Sequence, residues 1–232
     1  MDYSFSPLGD QAIIIEIGNE INVQVQHNVR VISSLLETHA PEWMMEFIPA
    51  FTTVTVFYDP LLILYNEAET ELTALLEKAS EMKAPLPRTV EIPVCYGGEF
   101  GPDLEFVAQH NGLSAEEVIR IHIEGTYTVH MIGFAPGFPY LGGMSDKIAA
   151  PRRESPRVRI PERSVGIAGG QTGIYPISTP GGWQLIGRTP LRLFLPEEEV
   201  PSLLRAGDAI RFHQISEEEY QAMEGQKNAH NT

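Results

Sequence analysis

Residues 126–195 are crowded with the two residue types that interrupt regular structure. This segment holds 11 of the chain's 20 glycines and 8 of its 18 prolines. That density disfavours long helices and divides strands into short pieces joined by tight turns. Apolar and polar residues alternate in places between the turns, as in Arg157-Val158-Arg159-Ile160. The segment is therefore predicted to form a compact β-barrel or β-sandwich.

The first ninety residues alternate between helical and strand periodicities. Residues 20–38 place apolar side chains three and four positions apart, which makes one helical face. Strands are predicted at residues 11–17, 44–48 and 53–58. The second helix, capped by Asn66, has a predicted buried stripe of Leu72, Leu75, Leu76, Ala79 and Met82. The order βαββα predicts a small α+β sandwich.

Pro85 and Pro87 mark the predicted domain boundary, since closely spaced prolines favour an extended linker. We expect three segments: an N-terminal α+β domain over residues 1–86, a β-barrel domain over residues 87–215 and an acidic tail over residues 216–232.

The start of the second domain contains helical signals ahead of the barrel strands. A strand is predicted at residues 89–95 and a short helix at residues 103–110. Ser114 and Glu117 form a capping box, which predicts a helix from Ala115 to about Ile121, with Gly125 ending it. These helices are expected to cover an opening of the barrel.

The chain is acidic but contains one basic region. Its formal net charge is −15, whereas residues 126–195 carry 8 basic and 3 acidic side chains. Such a region can attract an anionic ligand, or its arginines can pair with the surrounding acidic surface. The overall charge argues against general nucleic-acid binding, which requires a basic face.

The sequence predicts a cytoplasmic protein without a membrane partner. Asp2 stands where a secretory signal is basic, and the apolar runs fall short of the roughly 18 to 20 residues that span a bilayer. Cys95 is the only cysteine, which excludes an intrachain disulfide and a multi-thiolate metal site. The seven histidines form no metal-binding pair spaced by two or four positions, so no protein-bound metal is predicted.

Common catalytic motifs are absent from the sequence. No Gly-Lys dipeptide occurs, which excludes a Walker A loop and independent nucleotide hydrolysis of that kind. Neither Gly-x-Ser-x-Gly nor His-Glu-x-x-His is present.

Four unusual strings fill the basic region. They are VHMIGFAPGFPYLGG (129–143), APRRESPRVRIP (150–161), VGIAGGQTGIYP (165–176) and TPGGWQLIGRTP (179–190). Together they supply a histidine at a strand end, an arginine cluster stiffened by proline, several aromatic side chains and two glycine-rich turns. Glycine allows a ligand to approach backbone N–H groups closely, and such a concavity can bind an oxyanion.

These strings, with FSPLGDQA at residues 5–12, resemble the KipI / 5-oxoprolinase B-subunit family, also described as the allophanate hydrolase subunit 1 family. The likeness extends from Phe5 to about Phe212. It implies a small N-terminal α+β domain followed by a cyclophilin-like β-barrel, in agreement with the change in composition.

The resemblance implies two functions of different classes. The first is the B subunit of an ATP-dependent 5-oxoprolinase, which opens 5-oxoproline to L-glutamate together with a homologous, KipA-like C subunit, and with a LamB/YcsF-like A subunit. ATP with Mg²⁺ would then be shared with these partners, and the chain alone would be inactive. The second is an inhibitor that binds a sporulation sensor histidine kinase through its C-terminal domain. Similar domains also accompany urea carboxylase components, where they take part in carboxyl transfer.

Lactam opening requires cations for phosphate and carboxylate groups, donors for the oxyanion and an acid or base. His130 is the candidate acid or base, and Gln171 a candidate catalytic donor. The predicted anion- and substrate-binding residues are Arg152, Arg157, Arg159, Gly169, Gly170, Thr172 and Tyr175. The predicted pocket or partner interface is Phe134, Pro136, Phe138, Tyr140 and Trp183.

Each assignment has a structural alternative. His130 can donate to a backbone carbonyl at the strand end. Gly169 and Gly170 can serve only as a tight turn, and the aromatic residues can be core. Arg153 and Arg163 are expected to be solvated.

Overall fold

The structure, a computed structural model, describes residues 1–81 and 86–228. The chain divides into two compact units, Met1–Pro87 and Arg88–Thr232. Met82, predicted to continue a buried stripe, and Pro85, predicted to begin the linker, lie outside the described residues.

The first unit is a four-stranded antiparallel sheet with two helices. Its elements are β1 (Ser4–Pro7), β2 (Ala12–Glu16), α1 (Val23–His39), β3 (Met44–Pro49), β4 (Thr53–Tyr58) and α2 (Tyr65–Glu77), followed by a 3-10 turn at Lys78–Glu81. The strand order is β1-β2-β4-β3. Apolar residues of β2 and β4, including Ile13 and Val56, are fully buried together with Ile32 of α1 and Leu72 of α2.

Two local predictions for this unit differ from the structure. β1 was not predicted, because its sequence Ser4-Phe5-Ser6-Pro7 is short and ends in proline; it pairs with β2 as an edge strand. The second helix begins after Leu64 rather than at Asn66, since the Glu67 carboxylate accepts a hydrogen bond from the Leu64 N–H.

The second unit is built around a closed β-barrel. Its elements are β5 (Thr89–Tyr96), α3 (Leu104–Asn111), α4 (Ala115–Glu124), β6 (Tyr127–Ile132), β7 (Pro139–Gly142), a 3-10 turn (Asp146–Ile148), β8 (Arg157–Ile160), β9 (Ser164–Ala168), β10 (Gln171–Ile174), β11 (Thr179–Gly181), β12 (Gln184–Arg188), β13 (Ala209–Gln214) and α5 (Glu217–Asn228). Seven strands close in the order β10-β7-β6-β13-β5-β12-β9, and β8 pairs with β11 separately. The predicted α+β class and barrel are confirmed.

Helices α3 and α4 complete the core of the second unit. Val107 of α3 and Val118 of α4 are buried in the same cluster as the inward-facing strand residues Ile92, Ile167 and Ile210. The Ser114 hydroxyl accepts from the Glu117 N–H and the Glu117 carboxylate accepts from the Ser114 N–H, as the capping box predicts. Helix α4 continues to Glu124, three residues beyond the predicted end.

The segment assigned to an acidic tail contributes helix α5 to the second unit. Tyr220 is 2% exposed, and its ring lies 4.7 Å from that of Phe100. Glu224 forms an ion pair with Arg163 at 2.5 Å. Residues 229–232 of the predicted tail lie outside the described residues.

Candidate functional site

Four predicted interface aromatics and Tyr175 form one cluster. The Phe138 ring lies 5.2 to 5.7 Å, edge-on, from its four neighbours, which are Phe134, Tyr140, Tyr175 and Trp183. Ring edges against ring faces are the favourable arrangement for aromatic side chains. Phe138, Tyr175 and Trp183 are buried, whereas Tyr140 is half-buried. The cluster is thus a rigid wall with only part of its area accessible.

Phe134 is the outward-facing member of this cluster. It is 67% exposed and has a φ of 65°, in the left-handed region that bulky residues rarely adopt. Its loop is fixed by hydrogen bonds from the Gly133 N–H to the Phe138 carbonyl and from the Phe138 N–H to the Ala135 carbonyl, each 3.0 Å long. Pro136 of the same loop is exposed. The loop therefore presents a ring and a proline outside the core.

The three predicted anion-binding arginines do not share one environment. Arg157 is half-buried and donates through Nη2 to Asp103 at 2.8 Å. Arg159 is exposed and donates through Nε to Ser178 at 3.0 Å. Arg152 is exposed and lies near enough to Tyr175 for its charge to affect that phenol. Arg152 and Arg157 thus border the aromatic cluster, whereas Arg159 binds Ser178 instead.

The arginines expected to be solvated are not. Arg153 is half-buried and donates to the same Asp103 oxygen as Arg157, at 3.2 Å. Arg163 is buried at 8% exposure, has a φ of 70° and pairs with Glu224. Both expectations were wrong, because Asp103 and Glu224 lie 50 and 61 positions from the arginines they bind, and no local pattern reveals such partners.

Tyr175 connects the aromatic cluster with the basic side chains. Burial raises the pKa of its hydroxyl to about 12, opposed by the charge of Arg152, a hydrogen bond with the Trp183 backbone and the charge of Arg157. The group is therefore a neutral hydrogen-bonding phenol at pH 7.

His130 lies at a bulge in β6. The pairing of β6 with β7 shifts between Val129 and Met131, so His130 is the extra residue, and its ring covers Gly142. A Cβ at position 142 would overlap the His130 Nε2 atom, so a side chain there would displace the ring. The side chain is half-buried, and loss of solvation lowers the pKa of His130. The ring is therefore predominantly neutral at pH 7, as a general base must be.

The predicted oxyanion donors lie in or beside the β9–β10 hairpin, whose two-residue turn is Gly169-Gly170. The Gly169 N–H donates to the Ala150 carbonyl at 2.7 Å, so this N–H is already used. Gln171 is exposed beside the turn. The turn supports the structural alternative for Gly169, whose φ of 58° suits glycine.

Thr172 is fully buried inside the barrel, and its hydroxyl already makes two hydrogen bonds. It donates to the Gly166 carbonyl at 3.0 Å and accepts from Nε2 of His122 at 3.0 Å. The hydroxyl cannot serve as the predicted oxyanion donor while these hydrogen bonds persist.

His122, which no sequence pattern singled out, completes this buried network. It is fully buried, and its Nδ1 accepts from the Tyr96 hydroxyl at 2.8 Å. Burial lowers the pKa of His122 to about 3, so the ring is neutral and its proton lies on Nε2. With every ring nitrogen paired inside the barrel, His122 joins helix α4 to strands β5 and β10 rather than reaching a ligand.

Asp103 is a second residue whose role the sequence did not reveal. It was predicted only as the start of a helix, but its carboxylate does not cap α3. It accepts instead from Arg153, Arg157 and the Leu185 N–H. The one sequence signal at this position is an aspartate directly before an apolar run, and that pattern suggests a helix cap.

The arrangement combines an aromatic wall, guanidinium groups beside it and a separate neutral histidine. An apolar ring carrying a carboxylate suits such a surface, because the ring can pack on aromatic faces while the carboxylate meets arginine. Among residues 1–81 and 86–228, no three His, Cys, Asp or Glu side chains converge to hold a metal ion. No helix in those residues is both long and apolar enough to cross a membrane.

Comparison with known proteins identifies relatives along nearly the whole chain. Residues 3–204 match the family described as carboxyltransferase domain, subdomain C and D. The chain is 52% identical to the B subunit of 5-oxoprolinase from Bacillus subtilis (strain 168), over 97% of this chain and 98% of that protein. It is 42% identical to the B subunit of 5-oxoprolinase from Escherichia coli O157:H7, over 88% and 93% of the two chains.

A solved structure shares the fold described above. The crystal structure of TTHA0988 superposes with a TM-score of 0.76 at 33% identity, over 89% of this chain. The match spans 40% of TTHA0988, so that protein contains a further region with no counterpart in the matched part of this chain.

Proposed function

This chain belongs to the 5-oxoprolinase B-subunit family, and from that membership we propose that it is the B subunit of an ATP-dependent 5-oxoprolinase. The single observation that carries the proposal is the 52% identity to a protein of that name over almost the full length of both chains. The proposed reaction opens the lactam of 5-oxoproline to L-glutamate with hydrolysis of ATP. The chain acts in a complex with two partners, the A and C subunits, of which the C subunit is homologous to it.

The substrate has features that the aromatic and basic side chains suit. 5-Oxoproline is a small lactam ring with one carboxylate. In the proposed complex, the lactam ring packs against Tyr140, and Arg157 and Arg152 neutralise the carboxylate. His130, neutral at pH 7, takes a proton from the attacking water.

ATP with Mg²⁺ would activate the lactam oxygen, so that the ring nitrogen becomes a better leaving group. The sequence contains no Walker A loop, and we assign no nucleotide site to this chain; ATP is proposed to be shared with the partner subunits. The exposed loop of Phe134 and Pro136 is proposed to contact the C subunit. The alternative of a sensor-kinase inhibitor stays a prediction, because no contact described above favours it.

Reconstitution tests this function directly. The chain is purified with the A and C subunits encoded in the same genome, and ATP-dependent release of glutamate from 5-oxoproline is measured. We expect glutamate release from the three proteins together and none when this chain is omitted. A three-protein complex that forms but releases no glutamate, or release that persists without this chain, would overturn the proposal.

The same assay tests the site assignment. His130→Ala and Arg157→Ala are each expected to lower the rate while the complex still forms. Unchanged rates in both variants would contradict the assignment even if the wild-type complex is active.

A further inference from the structure

Asp103 is a buried carboxylate that holds two arginines at once. It is 6% exposed and lies directly before helix α3. Its Oδ1 accepts from Arg157 Nη2 at 2.8 Å and from Arg153 Nη1 at 3.2 Å. Its Oδ2 accepts from the Leu185 N–H at 2.7 Å. The carboxylate is thus shared between both guanidinium groups and the barrel wall.

The position of Asp103 is fixed by the barrel. The Asp103 N–H donates to the Leu185 carbonyl at 2.9 Å, so backbone and side chain both bind the same residue of β12. The arginines belong to a different part of the chain, at Arg153 and at the start of β8. Because Asp103 is fixed to β12, its hydrogen bonds restrict two long arginine side chains that would otherwise sample many rotamers.

The two guanidinium groups retain unused hydrogen-bond donors. Within the part of the chain that the structure describes, Arg157 Nη1 and Arg153 Nε are buried and have no hydrogen-bond partner. Two positive charges also share one negative charge, which leaves an excess of one positive charge at this point. Buried unpaired donors beside excess positive charge are the features of a site that accepts an anion.

We propose that Asp103 is a positioning residue, which aims Arg157 and Arg153 at an anionic group of carboxylate or phosphate type. The inference rests on the proposed function in naming the carboxylate of 5-oxoproline as that group. It adds Arg153 to the anion-binding residues and gives Asp103 a role that acts through the arginines. A purely structural ion pair would stabilise the fold without affecting how tightly an anion binds.

Asp208 offers a matched control. It is 5% exposed, binds the guanidinium of Arg88 through both carboxylate oxygens and accepts from the Arg205 N–H at 2.8 Å. It is therefore also a buried carboxylate held by arginine and a backbone N–H, but it binds neither Arg153 nor Arg157.

The experiment compares Asp103→Asn and Asp208→Asn in the complex with the A and C subunits. For Asp103→Asn, we expect the KM for 5-oxoproline to rise by about tenfold or more with a much smaller change in kcat, since an interaction with the bound substrate is weakened. Asp208→Asn is expected to leave KM unchanged. An unchanged KM in Asp103→Asn, or an equal rise in both variants, would overturn the inference.

A second variant keeps the test decisive if Asp103→Asn fails to fold. Arg157→Lys retains the charge but loses the planar guanidinium group, whose several N–H donors can bind Asp103 and an anion together. The same rise in KM is therefore expected. An unchanged KM in this variant overturns the inference.

An independent probe separates this inference from the proposed function. Inorganic phosphate is expected to raise the Tm of the purified wild-type chain, and to raise it less in Asp103→Asn or Arg157→Lys than in Asp208→Asn. A wild-type complex that releases no glutamate contradicts the proposed function alone. A phosphate-induced rise in Tm that is absent from wild type, or equal in all variants, contradicts the anion site.

Discussion

The Phe134 ring stands edge-on to Phe138, with centroids 5.6 Å apart and ring planes at 75°. Phe138 is 2% exposed, whereas Phe134 is 67% exposed and has a φ of 65°. A left-handed conformation costs a non-glycine residue on the order of 1 kcal/mol, and little of this ring is buried in return. We therefore expect the Phe134 ring to be buried in a complex with another protein, where this burial compensates the cost.

Truncating Phe134 is expected to weaken binding to the C subunit without unfolding the chain. We expect Phe134→Ala to raise, by about tenfold or more, the Kd for the C subunit, as for an exposed aromatic anchor. The free energy of unfolding should change by less than about 1 kcal/mol, because the ring is mostly exposed. Urea unfolding measures the stability, and calorimetric titration with the C subunit measures the Kd.

Phe106 of helix α3 supplies the control for that experiment. It is 44% exposed and stacks on His110, 6.0 Å between ring centroids, outside the aromatic cluster. Phe106→Ala should leave the Kd unchanged. Equal losses of affinity in both variants would indicate a general effect of surface aromatics rather than an interface at Phe134.

The proposed role of His130 as a general base predicts an acidic limb in the pH profile. Because burial lowers the pKa of His130, the ring stays neutral down to a pH below its ordinary value of 6.5. An activity that needs neutral His130 is therefore expected to be near its maximum at pH 7 and to decline as the pH falls below 6.5. We expect a plot of kcat/KM against pH for the assembled enzyme to show this limb.

The variant His130→Gln tests whether that limb belongs to His130. It should reduce kcat by about 100-fold or more, the typical contribution of a general base. His110→Gln, at a surface histidine, should have no effect. A fully active His130→Gln enzyme would contradict a proton-transfer role.

Local patterns predicted each element from β2 to α4, but the strands after α4 were predicted mostly as a group. The capping box at Ser114 fixed the start of α4 and Gly125 marked where it ends, but the predicted helix stopped at about Ile121, one residue before His122. Val118 and His122 are four positions apart and both are buried. Extending the helix by one turn would therefore have placed the histidine on the buried face.

The aromatic residues of the candidate site could be predicted from the sequence, but the ion pairs of its arginines could not. Gly133 to Tyr140 could be grouped from their spacing, and Phe134, Phe138 and Tyr140 do meet. The partners of the arginines could not be identified, because Asp103 reaches Arg153 only through the closure of the barrel. Ion pairs over such separations depend on tertiary structure rather than on local periodicity.

His122 makes the stability of the chain sensitive to acid. Its pKa is about 3 in the folded chain and near 6.5 when unfolded. Between these values the unfolded state binds more protons, so the free energy of unfolding falls as the pH falls through 6.5. The loss from His122 alone is about 2 kcal/mol at pH 5 relative to pH 7.

Urea unfolding of wild type and His122→Gln at both pH values measures this contribution. The variant is expected to be less stable at pH 7, because the hydrogen bonds to Tyr96 and Thr172 are disturbed. Its loss of stability between pH 7 and pH 5 should nevertheless be smaller than that of wild type by about 2 kcal/mol. Identical pH dependence in the two chains would contradict a buried neutral His122.

Cys95 is the only cysteine of the chain, and we expect Tyr220 of helix α5 to protect its thiol. Cys95 is 6% exposed, burial raises the pKa of its thiol, and it lies close enough to Tyr220 for the two groups to interact. Tyr220→Ala should speed reaction with a thiol reagent by about tenfold or more, since it removes a buried aromatic ring and about 3 kcal/mol of stability.

Tyr220→Phe is the matched control. The Tyr220 hydroxyl is buried without a hydrogen-bond partner among the described residues. Its removal should therefore keep Cys95 slow to react and stabilise the chain by up to about 1 kcal/mol. Labelling of Tyr220→Ala that accelerates only as urea is added would indicate global unfolding and contradict local protection by α5.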